Sequence, residues 1–325
     1  MPRVICLGEV LIDQIAEDVG VPYEQVKSWS AYFGGAPANV ACGLAKLGTP
    51  VSLISCVGQD AVGTDLLKQL GAAGVETSGV QVHPESATRQ VYVTRDARGD
   101  RSFDRFSGDA NTVFADTLMT AEHLPEHLFA DAKFLVLGTL GLANPQTSRA
   151  IGRALKFAEK YFVKVIVDIN WRAMFWKDPA QIHQILPVLL KYTDFLKLTK
   201  DEAKLLFRLT SPAAIAQAYN HLEGILLTNG DKDCRYYLGE KQGKHAVYPV
   251  YSTDTTGAGD AFLAAFIHRI YHRPITDLSD PKFADGAIAY ACAAGALTTL
   301  SMGAISAQPS DRQIREFLAM REAKH

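Results

Sequence analysis

Short apolar, β-branched runs alternate along the chain with stretches of helical periodicity: "VICLG", "PANVACGLAKLG", "VSLISCVG", "GTDLLKQLGAAG", "KFLVLG", "SRAIGRALKFAEKY", "KVIVDIN", "QIHQILPVLLKY" and "DFLKL". Strand-like segments separated by helix-like ones argue for βαβ units and a mostly parallel sheet covered on both faces. The expected fold class is therefore α/β. Two regions break the rhythm. Residues 13–33 and about 87–110 ("ATRQVYVTRDARGDRSFDRFSG") alternate polar and apolar positions and carry turn signals such as Arg98-Gly99-Asp100. That is the pattern of hairpins exposed on one face. The two hairpins can pair into a small sheet that covers the main domain as a lid, or they can extend an edge of the main sheet. The pattern alone leaves both open.

A chain of 325 residues suits one large domain or a main domain with an appendage. Thirty-three Lys and Arg against 35 Asp and Glu leave a formal charge of -2. There is no net basic field to hold nucleic acid or an anionic membrane, so a small-molecule partner is expected. The cysteines Cys6, Cys42, Cys56, Cys234 and Cys292 are odd in number and form no CxxC pair, which fits neither a disulfide framework nor a zinc site. A reducing, cytoplasmic setting is the expectation, and "MPRVICLGEVLIDQI" has no basic n-region or cleavage site of an export signal. The alanine-rich "AIAYACAAGALTTL" is shorter than the ~20 apolar residues of a membrane span and reads as a buried helix.

Two glycine motifs carry candidate chemistry. In "GGAPAN", Gly34 to Asn39, Pro37 suits the first turn of a helix, and Gly48 closes that helix. Gly34 and Gly35 allow a ligand to approach the backbone, and Asn39 offers a donor and an acceptor; a plain turn before a helix explains the same residues. In "DTTGAGDAF", a helix from near Gly257 to about Tyr271 aims its free N–H groups at the turn, and glycines at 257 and 259 leave those donors open to an anion. Asp260 is a capping charge on one reading. It is an odd choice for merely holding phosphate, and the oddity resolves if phosphate is transferred. An acceptor hydroxyl must then lose its proton to a positioned base while adjacent N–H groups stabilise the transferring group. No GxxxxGK[ST] lysine loop and no GxGxxG dinucleotide fingerprint occur.

The chain resembles the ribokinase-like (phosphofructokinase-B type) carbohydrate kinase family along essentially its whole length, through "GGAPANVACGLAKLG" and "DTTGAGDAFLAAF". The resemblance implies a Rossmann-like three-layer αβα sandwich with a small β-sheet lid, the main domain formed by 1–12, 34–86 and 112–325 and the lid by 13–33 and 87–111. It implies a phosphotransferase with an alcohol acceptor that uses ATP and Mg²⁺. Asp260 corresponds to the family's base, and Gly257, Ala258 and Gly259 to its anion hole. Asp13, Gly34, Gly35 and Asn39 correspond to positions that bind sugar hydroxyls. "LKLTKDEAKLL" resembles the family's N-x-x-E segment around Mg²⁺ and its waters, with Glu202 kept and Thr199 in place of Asn; the pair is also an ordinary capping box. "LLTNGDKDCRYY" resembles its nucleotide loop, T-x-G-x-x-G: Thr228 and Gly230 fit, and Asp233 replaces the second glycine. A carboxylate there is unfavourable unless it points to solvent or pairs with Lys232 or Arg235. "YACAAG", with Cys292, lies where the family closes over adenine, and Asp254 is the side-chain ligand expected for a monovalent cation such as K⁺. Lids of this family often pair, so a homodimer through the lid is a candidate assembly, which the exposed face of these segments does not by itself predict.

"VDINWRAMFW" resembles fructokinases and 2-keto-3-deoxygluconate kinases more than ribokinases or adenosine kinases. Arg172 is a candidate clamp for acceptor or phosphate oxygens, and Asp168 and Asn170 lie at a strand's carboxyl end, where ligands of open α/β sheets gather. Ketodeoxygluconate carries a carboxylate and wants an additional lid cation, which Arg89, Arg95, Arg98, Arg101 and Arg105 could supply; Arg105 is expected to face the sugar. The overall pattern is most like bacterial fructokinases, which makes D-fructose the expected acceptor. A ketodeoxygluconate kinase and a non-catalytic sugar- or nucleotide-binding regulator are the alternatives.

Overall fold

The computed structural model describes residues 3–96, 101–109 and 112–322. In chain order its strands are β1 (Arg3–Leu7), β2 (Leu11–Ala16), β3 (Trp29–Gly34), β4 (Val51–Gly58), β5 (Glu76–His83), β6 (Gln90–Arg95), β7 (Arg101–Phe106), β8 (Ala132–Leu137), β9 (Lys164–Asp168), β10 (Phe195–Thr199), β11 (Gly224–Thr228), β12 (Asp233–Leu238) and β13 (Lys241–Ala246). Nine of them form one sheet in the order β13-β12-β11-β10-β9-β8-β1-β4-β5. From β5 to β11 every pairing is parallel, and the edge hairpin β12–β13 is antiparallel. The expected α/β sheet is present.

Both faces of this sheet are covered, because alternate strand residues point to opposite cores. In β1, Val4 and Cys6 join the core beneath helices Ala36–Lys46, Ala258–Tyr271 and Pro281–Thr298, while Ile5 and Leu7 join the core beneath Pro145–Lys160 and Ile182–Leu190. Each such aliphatic side chain withdrawn from water contributes about 1.5–3 kcal/mol.

The first and second of these helices meet through small residues. A Cβ added at Gly43 in Ala36–Lys46 would lie 2.8 Å from the Ala264 Cβ of Ala258–Tyr271. Asn39 and Asp260 each stand four residues earlier on their helices, one turn nearer the amino ends. The close crossing therefore sets the separation of the two side chains that matter most below.

The two irregular segments form a second sheet, β3-β2-β6-β7. Each contributes an antiparallel hairpin, β2–β3 and β6–β7, and the hairpins join by parallel pairing of β2 with β6. The small sheet is thus separate from the main one and is not an extension of its edge. The turn at Arg98-Gly99-Asp100 lies outside the described residues. One face of the sheet carries Leu11, Asp13, Val91 and Phe106, and Leu11, Val91 and Val93 pack with Phe106 and Phe175 of the main body. The opposite face carries Tyr92 and Arg105, where Tyr23, Trp29 and Tyr92 cluster with ring centroids 4.9–5.5 Å apart.

Candidate active site

At the carboxyl edge of the sheet the helix Ala258–Tyr271 begins on Gly257, whose φ of +73° is left-handed; a Cβ there would lie 2.8 Å from the Ala304 Cα. Only glycine tolerates both constraints. The first turn then carries Asp260, whose Oδ2 accepts from Asn39 Nδ2 at 2.8 Å. Asn39 is itself held by its backbone, its carbonyl accepting from Gln308 Nε2 at 2.9 Å. The Asn39 Oδ1 is buried and has no hydrogen-bond partner among the described residues. It is an acceptor aimed into the site, of the kind that a ligand hydroxyl satisfies.

Asp13 on β2 is buried, and its Oδ2 lies 2.5 Å from where a Gly34 Cβ would sit, so Gly34 is small because the carboxylate occupies the space beside it. Gly35 caps the helix Ala36–Lys46 at φ +100°, pressed against the Glu9 carbonyl. Glu9 reaches under that helix end, where its Oε1 accepts from the Ala36 N–H at 3.0 Å. Burial pushes the Glu9 carboxyl up to about 7 against the pull of the backbone donors, and Asp116 and Asp260 add to the push. Asp13, Gly34, Gly35 and Asn39 are thus brought together as expected, with Glu9 beneath them.

A second cluster lies at the ends of β9 and β10. Lys197 Nζ donates to Asp168 Oδ2 at 2.5 Å, both side chains being buried. Burial pushes Asp168 up, Lys197 opposes it, and Glu202 and Asp260 reinforce it. Burial also pushes Asp260 above the ordinary carboxylate range, against Lys197, the Asn39 hydrogen bond and Arg172. Arg172 follows β9, donates to the Trp171 carbonyl at 3.0 Å and comes within 3.9 Å of Glu202 Oε1. Asn170 adopts a left-handed φ of +37°, which turns the chain sharply after Asp168. Thr199 and Glu202 form the capping box expected of them, and Glu202 also accepts from the Trp171 N–H at 2.8 Å.

The nucleotide-loop candidates lie at the end of β11. Gly230 has φ +58° with open space where a side chain would stand, and Thr228 ends the strand. Asp233 does not point to solvent: it is buried and accepts from Asn229 Nδ2 at 2.9 Å and Arg235 Nε at 3.0 Å, with Lys244 at 3.4 Å. The Asn229 amide, working against burial and helped by Arg235 and Lys244, holds its carboxyl down to about 2. Of the two partners expected, the pairing is with Arg235. Asp254 is a pin for the glycine turn, accepting from Thr256 N and Oγ1 and from Gly303 N at 2.6–3.0 Å.

Two expected site residues lie elsewhere. Arg105 is on the exposed face of the small sheet opposite Asp13, with its guanidinium 5.2 Å from the Tyr23 ring centroid. The regular alternation expected through Arg101, Phe103 and Arg105 fails because the register shifts between Tyr92 and Val93, which turns Arg105 outward. Cys292 is buried and its thiol is engaged by Cys234 and His245, which removes it from an open nucleotide surface. Sequence reading passed over Lys197 and Glu9. Lys197 had a signal: a charged residue at the centre of "FLKLT", among Phe195, Leu196 and Leu198, which are apolar on both faces of the strand.

The family description "pfkB family carbohydrate kinase" matches residues 1–311. The chain belongs to the pfkB family of carbohydrate kinases. It is 30% identical over 320 residues to probable fructokinase-5 of Arabidopsis thaliana, covering 98% of this chain and 97% of that one. Its fold is similar to the crystal structure of fructokinase with bound ATP from Xylella fastidiosa, at TM-score 0.88 and 25% identity over 98% of this chain and 99% of that one. It is also similar to a putative ribokinase II from E. coli in complex with ATP and Mg²⁺, at TM-score 0.87 and 28% identity over 98% and 100% of the two chains. As a pfkB kinase the chain is a sugar phosphotransferase, and no helix among its described residues is long and apolar enough to cross a membrane.

Proposed function

We propose that this pfkB kinase transfers the γ-phosphoryl of ATP to the 6-hydroxyl of D-fructose, giving fructose 6-phosphate and ADP. The observation that carries the reading is the hydrogen bond from Asn39 to Asp260 beside the small-residue turn Gly257-Ala258-Gly259. It joins a sugar-binding motif to a base and an anion hole. Asp260 accepts the proton of the 6-hydroxyl, Asn39 holds the carboxylate in line, and the N–H groups at Gly257, Ala258 and Gly259 stabilise charge on the transferring group. Asp13 and the unpaired Asn39 Oδ1 accept from sugar hydroxyls, and Arg172 clamps phosphate oxygens.

Mg²⁺, when bound with ATP, would supply neutralisation of the phosphate charge. Both Glu202 oxygens already accept from backbone or hydroxyl donors, and no described group of three acidic, His or Cys side chains is arranged for a metal. The residues therefore suit a metal carried on the phosphates and touched by Glu202 through water, with Thr228 and Gly230 beside the nucleotide. Asp254, which pins the glycine turn, would be the side chain to meet K⁺ there. Closure of the small sheet as a lid excludes water and aligns the hydroxyl.

The choice of a neutral sugar is supported by the fructokinase names of the relatives and by the placement of two of the lid arginines. Arg89 is bound by Asp116 through Nε at 3.0–3.1 Å among Phe106, Phe114 and Phe175, and Arg105 faces away. The half-buried aromatic cluster of Tyr23, Trp29 and Tyr92 on the outer face suits a homodimer through the lid, and five free, buried cysteines suit a reducing cytoplasm. A coupled ADP-release assay with Mg²⁺ across fructose, 2-keto-3-deoxygluconate, ribose and adenosine tests the reading. Fructose should give the highest kcat/KM; preference for ketodeoxygluconate would move the specificity to the acid sugar.

A further inference from the structure

Among the described residues outside its own helix, Lys197 is the side chain against which Gly259 is small. A Cβ added at Gly259 would lie 3.3 Å from Lys197 Nζ and 3.9 Å from its Cε, with no other heavy atom within 4 Å outside the helix's own backbone. The second glycine of the anion hole thus makes room for an ammonium group directly beneath the first helical turn. That ammonium is 5% exposed at the residue level and anchored by Asp168 at 2.5 Å.

The charges around it are mostly negative. Asp168 follows from β9, Glu202 from the helix start after β10, and Asp260 from the helix above; farther off, Asp260 and Asp116 both act on the buried Glu9, and the Cys234 thiol approaches from β12. Arg172 is the other cation acting on Asp260, and it is half exposed. A buried carboxylate without a nearby cation takes up a proton, and a protonated Asp260 cannot serve as base.

Resting on the kinase reading above, we infer that Lys197 is a positioning residue of phosphoryl transfer: held by Asp168 beneath Gly259, it supplies the buried positive charge that keeps Asp260 a carboxylate. Burial pulls Lys197 down, but Asp168, Asp260 and Glu202 more than reverse this, so the ammonium stays charged throughout the working range. Gly259 then has two tasks, one toward the ligand and one toward the lysine.

The test compares wild type, Lys197→Met, Lys197→Arg, Asp168→Asn and the double variant Lys197→Met/Asp168→Asn, each by thermal melting and by kcat and kcat/KM against pH. Lys197→Met leaves Asp168 buried and unpaired, so its instability alone decides nothing; the double variant removes that charge and should recover melting temperature. It should not recover turnover: kcat should remain about 100-fold or more below wild type, with the acid limb of the profile moved to higher pH by about one unit. Lys197→Arg, keeping the charge, should hold the acid limb near its wild-type place. Recovery of kcat together with stability in the double variant, or an unmoved acid limb, overturns the inference. The kinase reading fails separately, if wild type releases ADP with none of the four acceptors. Carboxyl NMR titration of Asp260 in wild type and the double variant then decides the role of Lys197, a difference under half a unit refuting it.

Discussion

Asn39 and Asp260 lie 221 positions apart in the chain and meet at 2.8 Å, each in the first turn of its own helix. The pair gives Asp260 one fixed direction for its carboxylate and leaves Asn39 Oδ1 to a ligand. Asp260→Asn keeps the shape of the side chain and removes its basicity. Turnover should fall by about 10²–10⁴-fold while calorimetric fructose binding changes little. Near-normal ADP release by the variant would remove Asp260 from the role of base.

The helix crossing behind this pair makes a second prediction. Gly43 faces Ala264 one turn beyond it and also lies against the Gln308 amide that holds the Asn39 carbonyl, so Gly43→Val presses on both and should cost about 1–3 kcal/mol in stability. Because the Asn39 to Asp260 separation opens with it, kcat should fall as well. Trimming the opposing residue, in Gly43→Val/Ala264→Gly, should restore part of both. Full kcat in a destabilised Gly43→Val would show that the crossing does not set the site.

Much of the fold and part of the site were legible in the sequence. Apolar runs mark strands whichever face they cover, so the parallel sheet could be read without knowing the order of its strands. The helix at Gly257 and the capping box at Thr199 and Glu202 rest on interactions within four residues, which a local pattern contains. Arg105 was misplaced because a register shift in the pairing of β6 with β7 is a relation between strands, not a property of either. Lys197 was missed for a related reason: its partner Asp168 is 29 residues away, and a lone lysine in a strand carries no sign of its counter-charge.

Asp233 should support the nucleotide loop. Its carboxylate links Asn229, Arg235 and Lys244, and both basic partners are partly exposed, so the network is worth only about 1–2 kcal/mol after solvent screening. Asp233→Gly should lower the melting temperature modestly and raise KM for ATP several-fold, with KM for fructose unchanged. An improved KM for ATP would mean that the carboxylate repels the phosphates and that its pairing does not shield them.

Glu9 gives a pH dependence with a definite sign. Its carboxyl is raised from the ordinary value of 4.5 to about 7, burial being the main cause and Asp116 and Asp260 lesser ones. Between these values the folded protein holds a proton that the unfolded chain has lost, so stability is greatest below pH 4.5 and declines as pH rises through 7. Glu9→Gln retains an oxygen for the Ala36 N–H and has no proton to lose. Melting of the ligand-free protein at pH 5 and pH 8 should therefore show wild type losing about 2–3 kcal/mol more than the variant across that interval. Asp168 is present in both proteins, so its own titration largely cancels in the difference. Parallel losses in the two proteins would mean that Glu9 is already ionised at pH 5 and that the Ala36 N–H outweighs its burial.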